Sequence, residues 1–333
     1  METKKCLVIG GAGFIGMNIV KELAEKGNYN ITIGDNFSRG KKDEYLNSII
    51  KKNNIKVVSA DFTDPSSFKE LESDYDYVYM LASVVGVEYT QKIPNELIRI
   101  NTALIFNTLE WIKHTDCKKI LFTSTSECYA GTIEAFNYEI PTSEDVPLCI
   151  EDITHPRFTY AVTKMLGESG FMNYSKIYKF ECTIVRYHNV FGPRMGFKHV
   201  IPQVVQRFLN NEDPFKVFGH NQTRSFNFID DAVSGTIGAM ESKNANGEIF
   251  HIGDMNSEIT IEELVHYIGD LMNYKGNYER QEAHSGSVSR RCPNTQKAER
   301  VFGYKPKVKW KEGVSKTVKW YVDYINSGKD IFE

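Results

Sequence analysis

The sequence has little that would brace a small fold or bind a metal. Its six cysteines, Cys6, Cys117, Cys128, Cys149, Cys182 and Cys292, are scattered, with no C-x-x-C pair. That excludes a disulfide framework and a thiolate zinc site, and it points to reduced thiols in the cytoplasm. The eight histidines form no H-E-x-x-H or similar ligand spacing, so no metal is expected. Apolar runs are short. None reaches membrane-spanning length, and no signal peptide is read before Cys6. Excess charge is missing too: a formal net charge of −3 over 333 residues gives no basic field for nucleic acid. Internal repeats, low-complexity tracts and linkers are also absent. What remains, 41% hydrophobic and 25% charged residues, is ordinary for a globular protein. A chain of this length buries about 75% of its unfolded surface and needs no staples.

The densest information lies at the start. Residues 6–9 form a short apolar run, the pattern of a strand buried on both faces. Gly10, Gly13 and Gly16 follow at once, and residues 17–26 read as a helix. A strand, a glycine turn and a helix make a pyrophosphate cradle. Gly10 permits the tight turn, Gly13 lets the backbone approach a phosphate, and Gly16 lets the helix lie close to the sheet. The helix N-terminus adds free N–H groups and positive potential. The plain alternative is a strand-to-helix turn with no ligand, and G-x-x-G-x-x-G is not the commoner spacing. The acid that follows weighs against that alternative. Residues 30–34 form a second strand, and Asp35 stands at its end, about twenty residues past the glycines. A carboxylate there accepts hydrogen bonds from an adenosine ribose and repels a 2′-phosphate, which favours NAD over NADP. Arg39, close by, opposes that inference.

The chain continues with a helix over 43–52 and a third strand over 56–60. Asp61 follows it and suits two roles, bonding an adenine amino group or capping a helix. A fourth strand over 77–81 runs into small residues, Ala82, Ser83, Val84, Val85 and Gly86, which allow close approach of a ligand. A long amphipathic helix covers 94–114, and a fifth strand covers 118–123. That strand delivers Thr123-Ser-Thr-Ser-Glu-Cys-Tyr129. Hydroxyls in such number either cap the next loop or serve chemistry. Residues 130–155 form a loop long enough for a lid. The next helix starts at Arg157 and sets Tyr160 and Lys164 on one face. A nearby ammonium lowers a phenol's pKa and helps it take a proton from an alcohol. A sixth strand covers 181–186. Beyond it the pattern changes to helices over 201–209, 229–240, 259–272 and 311–325, with short strands over 215–218, 224–228 and 249–252. The expected architecture is α/β: a Rossmann-like doubly wound parallel sheet with a smaller α/β C-terminal substrate domain. Residues 1–186 mainly form the dinucleotide-binding domain and 187–333 the substrate domain, with some strand exchange and the cleft between them.

Together these motifs resemble the extended short-chain dehydrogenase/reductase superfamily, in its NAD-dependent nucleotide-sugar epimerase/dehydratase group. The resemblance rests on Gly10-x-x-Gly13-x-x-Gly16, Asp35-Asn-Phe-Ser-Arg, Asp61, Leu81-Ala82-Ser83, Ser124-Thr-Ser-Glu-Cys-Tyr, Tyr160-x-x-x-Lys164 and Arg186-Tyr-His-Asn-Val-Phe-Gly-Pro. Gln222-Thr-Arg-Ser-Phe and Arg291-Cys-Pro-Asn carry it into the second half. It implies an enzyme that holds NAD through Gly10, Gly13, Phe14, Ile15, Gly16, Asp35, Asn36, Ser38, Asp61, Phe62, Leu81, Ala82, Ser83, Tyr160 and Lys164. It implies that Tyr160 deprotonates a sugar 4-hydroxyl, that Thr125 shares a hydrogen bond with it, and that Lys164 bonds the nicotinamide ribose. Asn189, Arg224 and Arg291 match positions that hold a nucleoside-diphosphate sugar, with Val85 and Ser126 alongside. Two helices near 95–114 and 157–177 resemble the family's four-helix homodimer interface. The implied product is a 4-keto sugar, released by a 4-dehydrogenase or passed on by a 4-epimerase or a decarboxylase. Glu127 and Arg291 could fill places that assist loss of a C6 carboxylate in decarboxylases. Ser126 stands where dehydratases carry an Asp, which leaves 4,6-dehydration the weakest outcome. Members that bind a dinucleotide without catalysis commonly lose the Tyr or the Lys, and both are present here.

Overall fold

Apolar runs and helical stretches alternate, and they lead the chain back and forth across one sheet. The computed structural model describes residues 3–283 and 286–329. Its strands are β1 (Lys4–Ile9), β2 (Tyr29–Asp35), β3 (Lys56–Ser59), β4 (Tyr77–Met80), β5 (Lys119–Thr125), β6 (Glu181–Tyr187), β7 (Val190–Phe191), β8 (Phe215–Phe218), β9 (Thr223–Ser225), β10 (Asn227–Phe228), β11 (Glu248–Ile252), β12 (Glu258–Thr260), β13 (Tyr278–Gln281) and β14 (Arg290–Arg291). Its helices are α1 (Phe14–Lys26), α2 (Glu44–Asn53), α3 (Val87–Lys92), α4 (Pro94–Ile112), α5 (Thr132–Phe136), α6 (Thr159–Tyr178), α7 (Val200–Leu209), α8 (Ile229–Glu241), α9 (Ile261–Leu271), α10 (Gln296–Phe302) and α11 (Trp310–Asn326). Seven strands pair in the order β11-β6-β5-β4-β1-β2-β3, all parallel. The order reverses between β1 and β4, and the crevice at such a reversal is where open α/β sheets bind ligands. β11 comes from the second half of the chain and closes one edge, with Phe250 opposite Val185.

Both faces of the sheet are covered, which is why β1 is apolar throughout its buried residues Cys6 to Ile9. On one face α4 and α6 bury Leu104, Ile105, Leu109 and Phe171 against Ile120 and Phe122. On the other, Ile19, Val20 and Leu23 of α1 share a core with Val233 and Ile237 of α8. Two buried cations tie layers together. Lys119 Nζ donates to the carbonyls of Ala239 (3.1 Å) and Ser242 (2.9 Å) at the end of α8. Arg186 of β6 forks onto Glu168 of α6, at 2.8 and 2.7 Å, and Ser124 Oγ of β5 donates to the same carboxylate.

The second half adds small sheets, β12-β9-β14, β13-β8 and β10-β7, packed with α7, α9 and α11. The single strand expected over 224–228 divides into β9 and β10 at Phe226. α3, α10, β13 and β14 were not expected, because segments this short carry no readable period. The loop over 130–155 also differs from expectation. It is clamped rather than poised as a lid. Gly131 N donates to Cys149 O (3.0 Å), and Thr132 Oγ1 to Pro147 O (2.6 Å). Thr142 N donates to Cys292 O (3.0 Å), and Asn294 N to Thr142 O (2.7 Å), so the loop grips the strand that bears Arg291. Among the described residues no helix is long and apolar enough to cross a membrane.

Candidate active site

Beyond Ile9 the chain turns at Gly10 with φ at +84°. A Cβ there would lie 2.6 Å from Ala82 N, so only glycine fits between the ends of β1 and β4. A Cβ on Gly16 would overlap the Gly10 carbonyl oxygen, so α1 can start this close to the turn only without one. No side chain caps the first N–H groups of α1. Asp35 is buried at the end of β2. Its Oδ2 accepts from Ala12 N (2.9 Å) and its Oδ1 from Phe37 N (2.7 Å). Burial pushes this carboxyl upward, and the two N–H bonds counter it. Asp61 Oδ1 accepts from Thr63 N (2.9 Å), while Asp64, not Asp61, caps the following 3-10 helix. Arg39 reaches across to Ser83 O (3.5 Å), with its guanidinium 5.8 Å from the Tyr89 ring centroid, rather than turning to Asp35.

The hydroxyls that end β5 have separate tasks. Thr123 Oγ1 donates to Met80 O (3.0 Å), and Ser124 reaches Glu168, so these two are structural. Thr125 is half-buried and lines the cleft. α6 brings Tyr160 and Lys164 to the same place. Lys164 Nζ donates to Thr123 O (2.8 Å) and stands 5.8 Å from the Tyr160 ring centroid. Burial draws the Lys164 pKa down to about 8. The expectation that Lys164 lowers the Tyr160 pKa is not met. Burial pushes the phenol up, Cys128 and Glu127 add to this, and Arg39 and the Ser83 hydroxyl counter it only in part. The Lys164 ammonium is engaged with a backbone carbonyl instead.

Glu127 sits on a 3-10 turn, Ser126–Tyr129, where Thr125 Oγ1 accepts from its N–H (3.3 Å). Its Oε1 meets Arg291 Nη1 at 2.7 Å and Arg157 Nη2 at 3.8 Å. Burial alone would raise this carboxyl, but Arg291, Arg157 and Arg224 outweigh it and hold the pKa to about 2. Arg224 lies opposite Arg291 in the β9–β14 register. Burial, and then Arg291, bring its pKa down to about 10. Arg224 donates to Thr223 O (2.7 Å) and Gln222 Oε1 (3.2 Å). Arg291 Nε and Nη2 and Arg157 Nε are buried with no acceptor among the described residues. Asn189 Nδ2 donates to Ser225 O (3.1 Å).

One cleft of about 1320 Å³ takes in Gly10, Gly13, Phe14, Ile15, Gly16, Asp35, Asn36, Ser38, Asp61, Phe62, Leu81, Ala82, Ser83, Val85, Thr125, Glu127, Tyr160, Lys164, Asn189, Arg224 and Arg291. Ser126 is the exception among the residues selected from sequence. It is buried behind the wall, and its Oγ accepts from Arg291 Nη1 (3.3 Å). The backbone is extended at Thr125, so Ser126 takes the face opposite to it. Sequence reasoning missed Arg157, although a signal was there: it stands three residues before Tyr160, a spacing that shares a helix face. It also missed His199, which lines the cleft and is held neutral by burial and by Arg39, with a pKa of about 4.

The model of the NAD dependent epimerase/dehydratase family matches residues 6–253. The chain belongs to this family. It is an NAD-dependent enzyme of the nucleotide-sugar epimerase/dehydratase kind. Over 97% of its length it is 33% identical to UDP-N-acetyl-α-D-glucosaminuronate decarboxylase of Bacillus cytotoxicus, 99% of which is covered. The UDP-glucose 4-epimerase of Thermotoga maritima, solved with UDP-glucose, superposes with a TM-score of 0.84 at 26% identity, covering 96% of this chain and 99% of that one. A mutant UDP-glucuronic acid 4-epimerase of Bacillus cereus, solved with NAD and UDP-4-deoxy-4-fluoro-glucuronic acid, gives 0.83 at 26% identity with the same coverage.

Proposed function

We propose that this enzyme decarboxylates a UDP-linked uronic acid by way of a 4-keto sugar. The observation that carries the reading is the Glu127–Arg291 contact at 2.7 Å, on the cleft wall beside Thr125. The similarity to a UDP-uronate decarboxylase supports it. The 4-keto sugar expected from sequence, either as released product or as intermediate, is read here as an intermediate. Net C4 oxidation is the weaker reading, because the similar proteins are named as decarboxylases and epimerases, whose redox-neutral reactions return the hydride to C4.

The glycine cradle that a Cβ would fill, the uncapped start of α1 and the acid ending β2 fit a dinucleotide. The residues from Gly10 to Ser83 assigned above would hold it, with Lys164 bonding its ribose from its anchor on Thr123 O. When bound, NAD supplies the hydride acceptor at C4 and returns the hydride at the end. Tyr160 takes the proton of the 4-hydroxyl, and Thr125 shares the hydrogen bond. Asn189 and Arg224 hold the diphosphate, whose binding energy orients the sugar. A ketone at C4 makes the C6 carboxylate a β-keto acid. The C5–C6 bond breaks, carbon dioxide leaves, and the electron pair moves onto the C4 oxygen as an enolate. The Tyr160 and Thr125 hydroxyls stabilise that oxygen, and a solvent proton is then added at C5. Glu127, ionised above about pH 2, acts as an orienting carboxylate that fixes Arg291.

Incubation with UDP-glucuronate and UDP-N-acetylglucosaminuronate tests the reading. Carbon dioxide and a five-carbon sugar nucleotide with solvent deuterium at C5 are expected. A 4-inverted uronate without carbon dioxide would move the assignment to 4-epimerase, the second reading, which the Bacillus cereus neighbour supports. No change at C4 overturns both. Exposed Ile98 and Phe106 on α4 and Val162 and Leu166 on α6 give the paired helices an apolar outer face, which supports a homodimer through these helices.

A further inference from the structure

Around Glu127 the cleft holds more guanidinium than this single half-buried carboxylate satisfies. Arg157 and Arg291 share Glu127 Oε1, yet Arg157 Nε and Arg291 Nε and Nη2 keep no acceptor among the described residues. Arg157 is not a surface residue that happens to point inward. Its side chain is only 14% exposed. A Cβ on Gly286 would lie 2.9 Å from its Cδ, and its backbone N–H donates to His155 Nδ1 (3.2 Å), so both ends are fixed. It opens the helical stretch that carries Tyr160 and Lys164. Desolvated N–H donors without acceptors are costly, and a guanidinium fork matches a pair of anionic oxygens.

We propose that Arg157 is a specificity-determining residue: together with Arg291 it holds the carboxylate of an acidic sugar. This rests on the uronate reading above and goes beyond it, because that reading uses Arg291 and Glu127 alone. Glu127 draws both guanidinium groups to one point and keeps them there. A sugar carboxylate brings two oxygens to the donors left over, while Arg224, in contact with Gln222 and Thr223, stays with the diphosphate. A neutral hexose brings no such oxygens and leaves the donors unpaired, which is how an empty demand for acceptors becomes selectivity.

Diphosphate oxygens could satisfy the same donors, so the test separates the two sources. Calorimetric titrations of the NAD-loaded wild type, Arg157→Gln and Arg157→Lys would use UDP, UDP-glucose and UDP-glucuronate. The wild type is expected to prefer UDP-glucuronate to UDP-glucose by about tenfold or more. Arg157→Gln is expected to weaken UDP-glucuronate by about thirtyfold, on the scale of breaking a buried charge pair, and to leave UDP and UDP-glucose within about twofold. Arg157→Lys, which keeps the charge without the fork, should recover part of the loss. Equal weakening of all three ligands would put Arg157 on the diphosphate and overturn the proposal. Unchanged binding of UDP-glucuronate would leave Arg157 as a mere support for Glu127 and overturn it too. A wild type that shows no preference, or does not bind UDP, refutes the uronate reading itself and the proposal with it.

Discussion

Tyr160 has an unusual starting point for a base. Burial, Cys128 and Glu127 all push its pKa up, so its proton acceptance depends on what the cleft brings to it. Tyr160→Phe keeps the ring and removes the oxygen. Turnover of UDP-uronate should fall by about a hundredfold or more, with NAD affinity within a few-fold, as read by single-turnover kinetics and cofactor titration. Near-normal turnover would place the chemistry elsewhere. Much of this site was legible at the level of single residues because glycines, hydroxyls and the Tyr–Lys spacing each have a chemical reason. Ser126 was misplaced because sequence does not show that the chain is extended at Thr125, which turns its neighbour away from the cleft. Arg157 was overlooked because a lone arginine before a helix reads as solvated charge. Only the fold reveals that Gly286 and Glu127 enclose it.

Among the elements, α6 does the most positioning. Its approach to the sheet depends on Gly167, where a Cβ would strike the Phe122 ring, one turn from Lys164. Gly167→Ala should cost about 1–3 kcal/mol of stability, the usual scale of overpacking. It should also weaken NAD binding by moving Lys164 off Thr123 O. Urea unfolding and cofactor titration measure the two effects, and a variant as stable as wild type would show that α6 has room to give. The long elements were legible, since β1, β5 and α4 carry clear apolar periods. β14 was not. It consists of Arg290 and Arg291, has no apolar signal, and exists because β9 pairs with it and the 130–155 loop grips the next residue, Cys292. Loop length alone suggested a lid there; the hydrogen bonds that make it a clamp join residues too far apart in sequence to be read.

For the whole molecule two properties follow. The first is acid sensitivity. Burial holds His199 at about 4 and His251 at about 3, and it drives His188 well below the ordinary histidine value. The unfolded chain takes up protons on these groups near pH 6.5 and the folded chain does not. Unfolding therefore binds protons as the pH drops, and stability rises with pH through this window. Between pH 7 and 5 the folded state should lose on the order of 1 kcal/mol per histidine per pH unit. Urea midpoints at pH 7, 6 and 5 measure this, and a flat profile would contradict the neutral state of the buried His188 and His251 and of the half-buried His199. The second property is association. If the proposed pairing of α4 and α6 holds, the wild type is expected to sediment as a dimer, and Leu166→Glu, which puts a charge on the outer face of α6, is expected to sediment as a monomer; a monomeric wild type would overturn the pairing.

The place of β11 in the sheet also sets an order of events at the ribosome. β6 is complete at Tyr187, but its partner begins only at Glu248, about sixty residues later. At roughly 5–20 residues per second the nascent chain spends several seconds with the open backbone of β6 uncovered. Such a rim is a template for another chain. A ribosome that stalls, or a gene truncated within this interval, would release a sheet of six strands lacking only β11, with the hydrogen-bonding edge of β6 bare, and that fragment should collect in inclusion bodies while the full-length chain does not.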